Sequence, residues 1–401
     1  MPSDSQQATP ARVARIITRL NIGGPSIQAA RLTTALEPFG FTTRLLHGRL
    51  GIGEGDMTYL LPAGANTAFI DTLCRPLSPI DDLRAIVRVY RELRQWQPHI
   101  VHTHMAKAGL VGRLATVGYN LTRGSAPRAR VVHTYHGHVL EGYFAPLMTR
   151  AFITIERLLS RVSHRIVAIS PAIRRELLDV YRIGRAEQYR VVALGFDLAP
   201  FAAIDDRARA EARRALDIPG GAVVVATVGR LTAIKQHRRF LEAFRVAAGA
   251  HPEALALIAG DGELRVELET QARSLGIADR VRFLGWRRDL PTIYGATDVF
   301  LLTSRNEGTP VALIEAMASG VPGVSTDVGG VQDVIGTPAT GILAPSGDVA
   351  ALAAGVSRLL ADRDEREAMG ARARQHVLAR YGIERLVAEI AALYRDVLDA
   401  R

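Results

Sequence analysis

Cysteine is almost absent from this 401-residue chain: Cys74 stands alone, which excludes an internal disulfide framework and any metal site built from several thiolates. Lysine is nearly as rare, because among 50 basic residues only Lys107 and Lys235 are lysines and the rest are arginine. No apolar run reaches the ~18 residues a membrane span needs. The polar start from Met1 to Arg12 carries no signal-type apolar core, so a cytoplasmic location is expected. Aromatic residues make up only 6 % and the arginines are dispersed, which argues against nucleic acid as a partner. No G-x-G-x-x-G follows the first strand-like run, and Gly51-Ile52-Gly53-Glu54-Gly55 has a different spacing, so a nicotinamide-type oxidoreductase is disfavoured.

With 48 % hydrophobic content the chain can bury large cores, and its length predicts two domains. The net charge of +10 is uneven. Residues 1–195 hold 25 Arg and Lys against 13 Asp and Glu, giving +12, so residues 196–401 hold 25 against 27, giving −2. A basic first half implies an anionic partner there, either a membrane surface or a diphosphate-bearing acceptor.

Hydrophobic periodicity alternates between strand-like and helical runs. Strands are predicted at Val13–Ile17, Thr42–Leu46, Ile100–His102, Val131–Thr134, Ile166–Ile169 and Arg190–Ala193, with helices between them, notably Asp81–Gln95 and Leu147–Ser163. A second series runs through Val223–Val228, Ala254–Ile258, Val281–Leu284, Val299–Thr303 and Gly323–Thr326. Such alternation predicts an α/β protein with two doubly wound parallel-sheet domains, the boundary falling near Leu194-Gly195-Phe196-Asp197. The domains expected are 1–195, 196–380 and a last helical segment, 381–401, with apolar Leu386, Ile390, Leu393, Tyr394 and Val397 at helical spacing.

The most informative stretch is Asn306-Glu307-Gly308-Thr309-Pro310 running into Glu315. Proline is favoured at the first helical position and threonine can cap the free amides before it, so a helix start is placed at Thr309. Glu307 then lies just outside the helix, and Glu315 about five residues inside it, roughly 7.5 Å further along. The N-terminal amides between them favour an anion. A ligand with a phosphate in its middle and hydroxyls at both ends, such as a nucleotide-sugar, has that layout. Matching positive charge follows the strand Val223–Val228, in Gly229-Arg230-Leu231-Thr232-Ala233-Ile234-Lys235. Lysine there supplies a compact charge suited to a diphosphate.

Gly229-Arg230-Leu231 with Lys235, the Gly260-Asp261-Gly262 turn, Phe283-Leu284-Gly285, and Glu307 to Glu315 followed by Ala316-Met317-Ala318-Ser319-Gly320-Val321-Pro322 occur in this order. Together they resemble the retaining GT-B glycosyltransferases of family 4, also called group 1. Gln236 departs from the glycine usual after the lysine, which bears on the loop geometry. The resemblance implies two Rossmann-like domains facing across a cleft, with the last helix returning to the first domain. It further implies sugar transfer from a nucleoside diphosphate, UDP favoured over GDP, to an acceptor hydroxyl with retention, without metal or other cofactor. Glu307 would then hold the transferred sugar, with Gly308 and Thr309 beside it, and Glu315 the ribose. Arg230 and Lys235 would neutralise the diphosphate, and Trp286-Arg287 would lie near the base. His136, in Thr134-Tyr135-His136-Gly137, matches the family's cleft histidine, with His138 as second choice.

Other features carry weaker signals. Gly23 and Gly24 follow the first strand, and a residue without Cβ at 24 would admit a diphosphate to the backbone; a simple tight turn is the alternative. His102, His104, His133, His136 and His138 cluster at strand ends, but Glu141 is the sole carboxylate near them in sequence, and no metal is expected. Lys107, His104 and His138 are assigned to the acceptor side, a solvated helix-start lysine being the alternative for Lys107. The segment Phe144–Arg165 mixes apolar residues with Arg150, Arg157, Arg161 and Arg165, and could rest on an anionic leaflet or be a core helix with arginines outward. Asp362-Arg363-Asp364 has metal-motif spacing but lies in a charged helical run and is rejected as a site. The acceptor expected is a lipid-linked or polysaccharide glycan at the inner membrane face. The rivals are a UDP-sugar epimerase of the same architecture and a non-catalytic sugar-nucleotide-binding protein.

Overall fold

A computed structural model of the chain describes residues 9–51, 53–137 and 146–400. The chain divides into two compact units, Met1–Phe196 together with Ile383–Arg401, and Asp197–Gly382.

The first unit runs β1 (Ala11–Ile17), α1 (Gly24–Ala35), β2 (Phe41–Gly48), β3 (Thr67–Ile70), α2 (Pro79–Trp96), β4 (Ile100–His104), α3 (Ala106–Thr122), β5 (Arg130–Tyr135), α4 (Pro146–Ser160), β6 (Arg165–Ala168), α5 (Pro171–Arg175) and β7 (Tyr189–Val191). Its seven strands form a parallel sheet in the order β3-β2-β1-β4-β5-β6-β7. Strand side chains alternate between the two faces. On β1 and β4, Val13 and Ile100 therefore join the core beneath α1, whereas Ala14, Ile16 and Val101 join the core beneath α2 and α3. The edge strand β3 has no counterpart among the predicted strands: four residues at a half-exposed edge leave almost no periodic signal.

The helix starts follow local chemistry. Ser78 accepts from the Asp81 amide, Pro79 takes the first position of α2, and Asp81 and Asp82 sit in its first turn, where negative charge is favoured. The helix stops where Gln97 turns left-handed at φ 50°.

The second unit runs α6 (Ala199–Ala202), α7 (Asp206–Ala215), β8 (Val223–Val228), α8 (His237–Ala248), β9 (Ala254–Ala259), α9 (Arg265–Ser274), β10 (Val281–Gly285), α10 (Leu290–Gly295), β11 (Val299–Leu302), α11 (Val311–Ala318), β12 (Gly323–Thr326), α12 (Val331–Ile335), β13 (Gly341–Ala344), α13 (Val349–Ala361) and α14 (Arg363–Tyr381). Its six parallel strands lie in the order β10-β9-β8-β11-β12-β13. Phe240, Leu241 and Phe244 of α8 are fully buried with Leu352, Val356 and Leu359 of α13, and truncating any one to alanine would cost about 2–5 kcal/mol. Asp362 caps α14 through the Glu365 amide at 2.8 Å.

The last helix, α15 (Ile383–Asp399), belongs to the first unit. Leu386, Ile390, Leu393, Tyr394 and Val397 are at most 3 % exposed, in one cluster with Val13, Phe41 and Ile100.

Candidate active site

In an open parallel sheet, ligands bind beyond the carboxyl ends of the strands where the strand order reverses. In the second unit that reversal lies between β8 and β11. The loop after β8 carries Arg230 and Lys235, and the loop after β11 carries Glu307.

These two loops meet. Lys235 Nζ donates to Glu307 Oε1 at 2.7 Å, and Ser304 Oγ donates to the same oxygen at 2.6 Å. Glu307 is 8 % exposed as a residue, yet its Oε2 accepts no hydrogen bond among the described residues. One oxygen is thus anchored and the other is left for a ligand. Thr303, at the end of β11, donates to the Lys235 and Gln236 carbonyls at 3.1 Å, which ties the lysine loop to the glutamate strand.

Backbone packing holds Glu307 from the other side. Gly330 N donates to Glu307 O at 2.9 Å. A Cβ on Gly329, which has φ +51°, would lie 1.9 Å from that oxygen, and one on Gly330 would lie 2.0 Å from Gly308 O. Only glycine lets the Gly329-Gly330 turn pass there.

Gln236 occupies the left-handed region at φ 54°, ψ 39°, so the loop keeps a glycine-type turn without a glycine. Its Nε2 donates to Ala233 O at 2.6 Å, offsetting part of the steric cost.

The helix start differs from the sequence expectation. α11 begins at Val311 with Pro310 preceding it, and no side chain caps it, so Thr309 is not the cap. The φ −76°, ψ 84° of Pro310 leave its residue outside the helical region, which delays the first turn by two residues. Glu315 is consequently the fifth residue of an eight-residue helix. Tyr294 Oη, from α10, donates to Glu315 Oε2 at 3.0 Å, while Oε1 accepts nothing among the described residues. Burial pushes this carboxyl up to about 7, the Tyr294 hydroxyl pulling the other way.

Arg230 is exposed, with no partner among the described residues. Trp286 is 56 % exposed after β10, and Arg287 is engaged by Asp289 at 2.8 and 2.5 Å. The Arg287 side chain is therefore already committed, and a ligand near it would meet Trp286 or backbone.

In the first unit, the strand order reverses between β1 and β4. Gly23, φ +153°, adopts backbone that favours glycine, whereas a Cβ on Gly24 would lie 2.8 Å from Leu194 Cδ1. Packing against Leu194 thus gives Gly24 a structural reason of its own. His136 follows β5 and is half-buried; its Nε2 is 2.9 Å from Nδ1 of His104, which is fully buried beneath it. His104 consequently reaches a ligand through His136 and not by contact. Lys107 Nζ lies 2.6 Å from Asp82 Oδ1 and also bonds Pro76 O, with its side chain 8 % exposed. It locks α3 to α2 and is not free to bind an acceptor. His138 lies outside the described residues.

The residues that sequence reading missed are Ser304, Tyr294 and the Gly329-Gly330 pair. The glycine pair just after a predicted strand and Ser304, three residues before Glu307, are local signals; Tyr294, on another element from Glu315, leaves none.

Comparison with known proteins agrees with this geometry. Residues 208–376 match the family model Glycosyl transferases group 1, and residues 22–200 match Glycosyltransferase Family 4. The UDP-Gal:alpha-D-GlcNAc-diphosphoundecaprenol alpha-1,3-galactosyltransferase of Escherichia coli is 27 % identical over 353 residues, spanning 86 % of this chain and 87 % of that one. The D-inositol 3-phosphate glycosyltransferase of Salinispora arenicola is 32 % identical over 319 residues, 75 % of this chain and 69 % of that one. Among solved structures, Anabaena HepE in complex with UDP superposes with a TM-score of 0.80 at 20 % identity, covering 96 % of this chain and 100 % of that one. With two parallel-sheet units on the GT-B plan and relatives of this kind along its length, the chain belongs to the group 1 glycosyltransferases.

Proposed function

We propose that this enzyme transfers a sugar from a nucleoside diphosphate, with UDP favoured, to a hydroxyl of a lipid-linked or polysaccharide acceptor, with retention of anomeric configuration and without a metal. The observation that carries the reading is the pair of half-used carboxylates: Glu307 held by Lys235 and Ser304, and Glu315 held by Tyr294, each through one oxygen. Glu307 Oε2 would accept from hydroxyls of the transferred sugar, and Glu315 Oε1 from the ribose. As the glycosidic bond loosens toward an oxocarbenium-like state, charge builds on the departing phosphate oxygen. Lys235 and Arg230, which has no partner among the described residues, supply the compensating charge. UDP is supported by the donor in the E. coli relative's name and by the ligand of HepE. Retention comes with the family resemblance, and front-face substitution is preferred over a covalent intermediate because no residue is placed as a nucleophile.

A peripheral membrane position belongs to the same reading, since the E. coli relative is named for an undecaprenol-linked acceptor. On α2 and just before it, Leu77, Ile80 and Leu83 are 57–66 % exposed, and Arg84, Arg88 and Arg91 are exposed beside them. On α4, Met148, Ile155 and Leu158 are exposed with Arg150 and Arg157. Arg84 pairs with Asp81 at 3.4 Å; apolar side chains among exposed arginines suit an anionic lipid surface.

The test is transfer from radiolabelled UDP- and GDP-sugars to undecaprenol-linked and soluble glycan acceptors, with the anomer read by NMR. Transfer from a UDP-sugar giving an axial-to-axial or equatorial-to-equatorial product supports the proposal. Epimer formed from donor alone, binding without turnover, or inversion overturns it.

A further inference from the structure

Arg15 is fully buried in the middle of β1 and forms no ion pair among the described residues. Burying a guanidinium without a carboxylate is costly unless its hydrogen bonds are met. Here both Nη atoms find neutral partners, in a chain that ends at His136, while Nε has none among the described residues. Because strand side chains alternate, Arg15, His102, His104, Thr134 and His136 all face the side of the sheet that Tyr394 of α15 covers.

Bond directions along this chain are forced from one end. A guanidinium donates and never accepts. Arg15 Nη1 lies 3.1 Å from His104 Nε2, which must therefore be the acceptor, leaving the His104 proton on Nδ1. That proton points to His136 Nε2 at 2.9 Å, so the His136 proton in turn sits on Nδ1. His136 Nδ1 is buried and has no hydrogen-bond partner among the described residues. On the second branch Arg15 Nη2 donates to Tyr394 Oη at 3.0 Å, whose own proton goes to His102 Nδ1 at 2.7 Å. His102 then donates from Nε2 to Thr134 Oγ1 at 2.7 Å, completing the network.

We infer that Arg15 and His104 are positioning residues that hold His136 neutral with its proton on Nδ1, so that it offers one hydrogen-bond donor to a lone pair on a substrate oxygen. Among the described residues the charged or titratable groups acting on His104 and His136 are Arg15, His102 and, from the other face of the sheet, His133, none of them acidic. Burial first and Arg15 second push His136 down to about 3, consistent with a ring that stays uncharged. His136 therefore acts neither as an imidazolium acid nor as a base through Nδ1; the charge of Arg15 polarises the donor through His104. That the oxygen belongs to substrate rests on the proposed function, whereas the proton's position does not.

The test is ¹⁵N NMR of the full chain labelled at histidine, with His136→Gln assigning the signal. Wild type should show His136 protonated at Nδ1, unprotonated at Nε2, and no titration from pH 8 to 5. In Arg15→Met, His136 should become a tautomer mixture, with kcat falling about tenfold or more while KM changes little. Arg15→Lys should restore part of both. Tyr394→Phe cuts only the His102 branch and should leave the His136 signal unchanged. A wild-type His136 carrying its proton on Nε2 or charged at pH 6 overturns the inference, with or without a folded Arg15→Met. So does an unchanged His136 pattern in folded Arg15→Met. If the wild-type pattern holds but no nucleotide-sugar is turned over, the functional reading fails and this one stands.

Discussion

Lys235 and Glu307 lie 72 residues apart in sequence and 2.7 Å apart in space, the lysine from the loop after β8 and the glutamate from the loop after β11. The contact joins a cation to a carboxylate where the strand order reverses, and it leaves Glu307 Oε2 unused. Lys235→Ala and Glu307→Gln should each lower kcat/KM by roughly 10²–10³-fold, the loss typical of one transition-state charge contact. The side chain of Lys235 is 29 % exposed, so the unfolding free energy from urea titration should change by no more than about 1 kcal/mol in Lys235→Ala. Unchanged transfer in either variant removes that residue from the mechanism.

Glu315 gives a pH dependence of definite sign. Its folded value of about 7 lies above the ordinary 4.5, so the folded state holds a proton that the unfolded chain has lost between those values. The stability it contributes is complete below pH 4.5 and fades as pH rises through about 7. Ionisation makes it a better acceptor for hydroxyls, so affinity for a UDP-sugar should rise about tenfold from pH 6 to 8. Calorimetric titration of wild type and Glu315→Gln checks this. A wild-type profile as flat as the variant's rules the role out.

Acid should open the first unit before the second. His102, His104 and His133 are driven well below 6.5 by burial and His136 to about 3, whereas the second unit buries His237 at about 4. Their folded values are depressed, so the unfolded state binds more protons and stability is lost as pH falls from 6.5. Each such histidine costs about 1.4 kcal/mol per pH unit there. Trp96 reports on the first unit and Trp286 on the second. Urea titrations of Trp286→Phe and Trp96→Phe at pH 7.5 and 5.5 should show the larger drop for the Trp96 signal. Equal drops contradict the prediction.

The exposed face of α2 should bind lipid. Ile80→Ser with Leu83→Ser, and separately Arg88→Glu with Arg91→Glu, should each weaken sedimentation with phosphatidylglycerol vesicles by about tenfold or more. Binding should weaken with salt and be slight on phosphatidylcholine. Activity on a soluble acceptor should stay unchanged. Equal binding of wild type and both variants excludes this face.

Gln236→Gly should be stabilising by up to about 1 kcal/mol. It relieves a left-handed side chain worth roughly 1–2 kcal/mol, against the added freedom of glycine in the unfolded chain and the lost bond to Ala233 O. A lower urea midpoint refutes it.

Periodicity revealed most strands because each is a local run whose neighbours bury both faces; the edge strands β3 and β13 escaped because four partly exposed residues carry too little pattern. The helix at Glu315 was legible, but its first turn was placed two residues early, since a Thr-Pro pair admits either register and the backbone at Pro310 decides. Lys107 looked available in sequence, and only the packing of α3 on α2 reveals Asp82 beside it.

By itself the sequence determined the alternating α/β plan, the placing of Glu307, Glu315, Arg230 and Lys235 on loops or helix starts after strands, and the rarity of lysine, all properties of neighbours along the chain. Tertiary structure alone decided that Ser304 and Lys235 share one oxygen of Glu307, that Tyr294 meets Glu315, and that Tyr394 reaches Arg15 across 379 positions. Lys235, Tyr294 and Tyr394 meet their partners through strand order and the face each residue turns to, across 72, 21 and 379 positions, whereas Ser304, three residues from Glu307, needs the fold only to aim its hydroxyl.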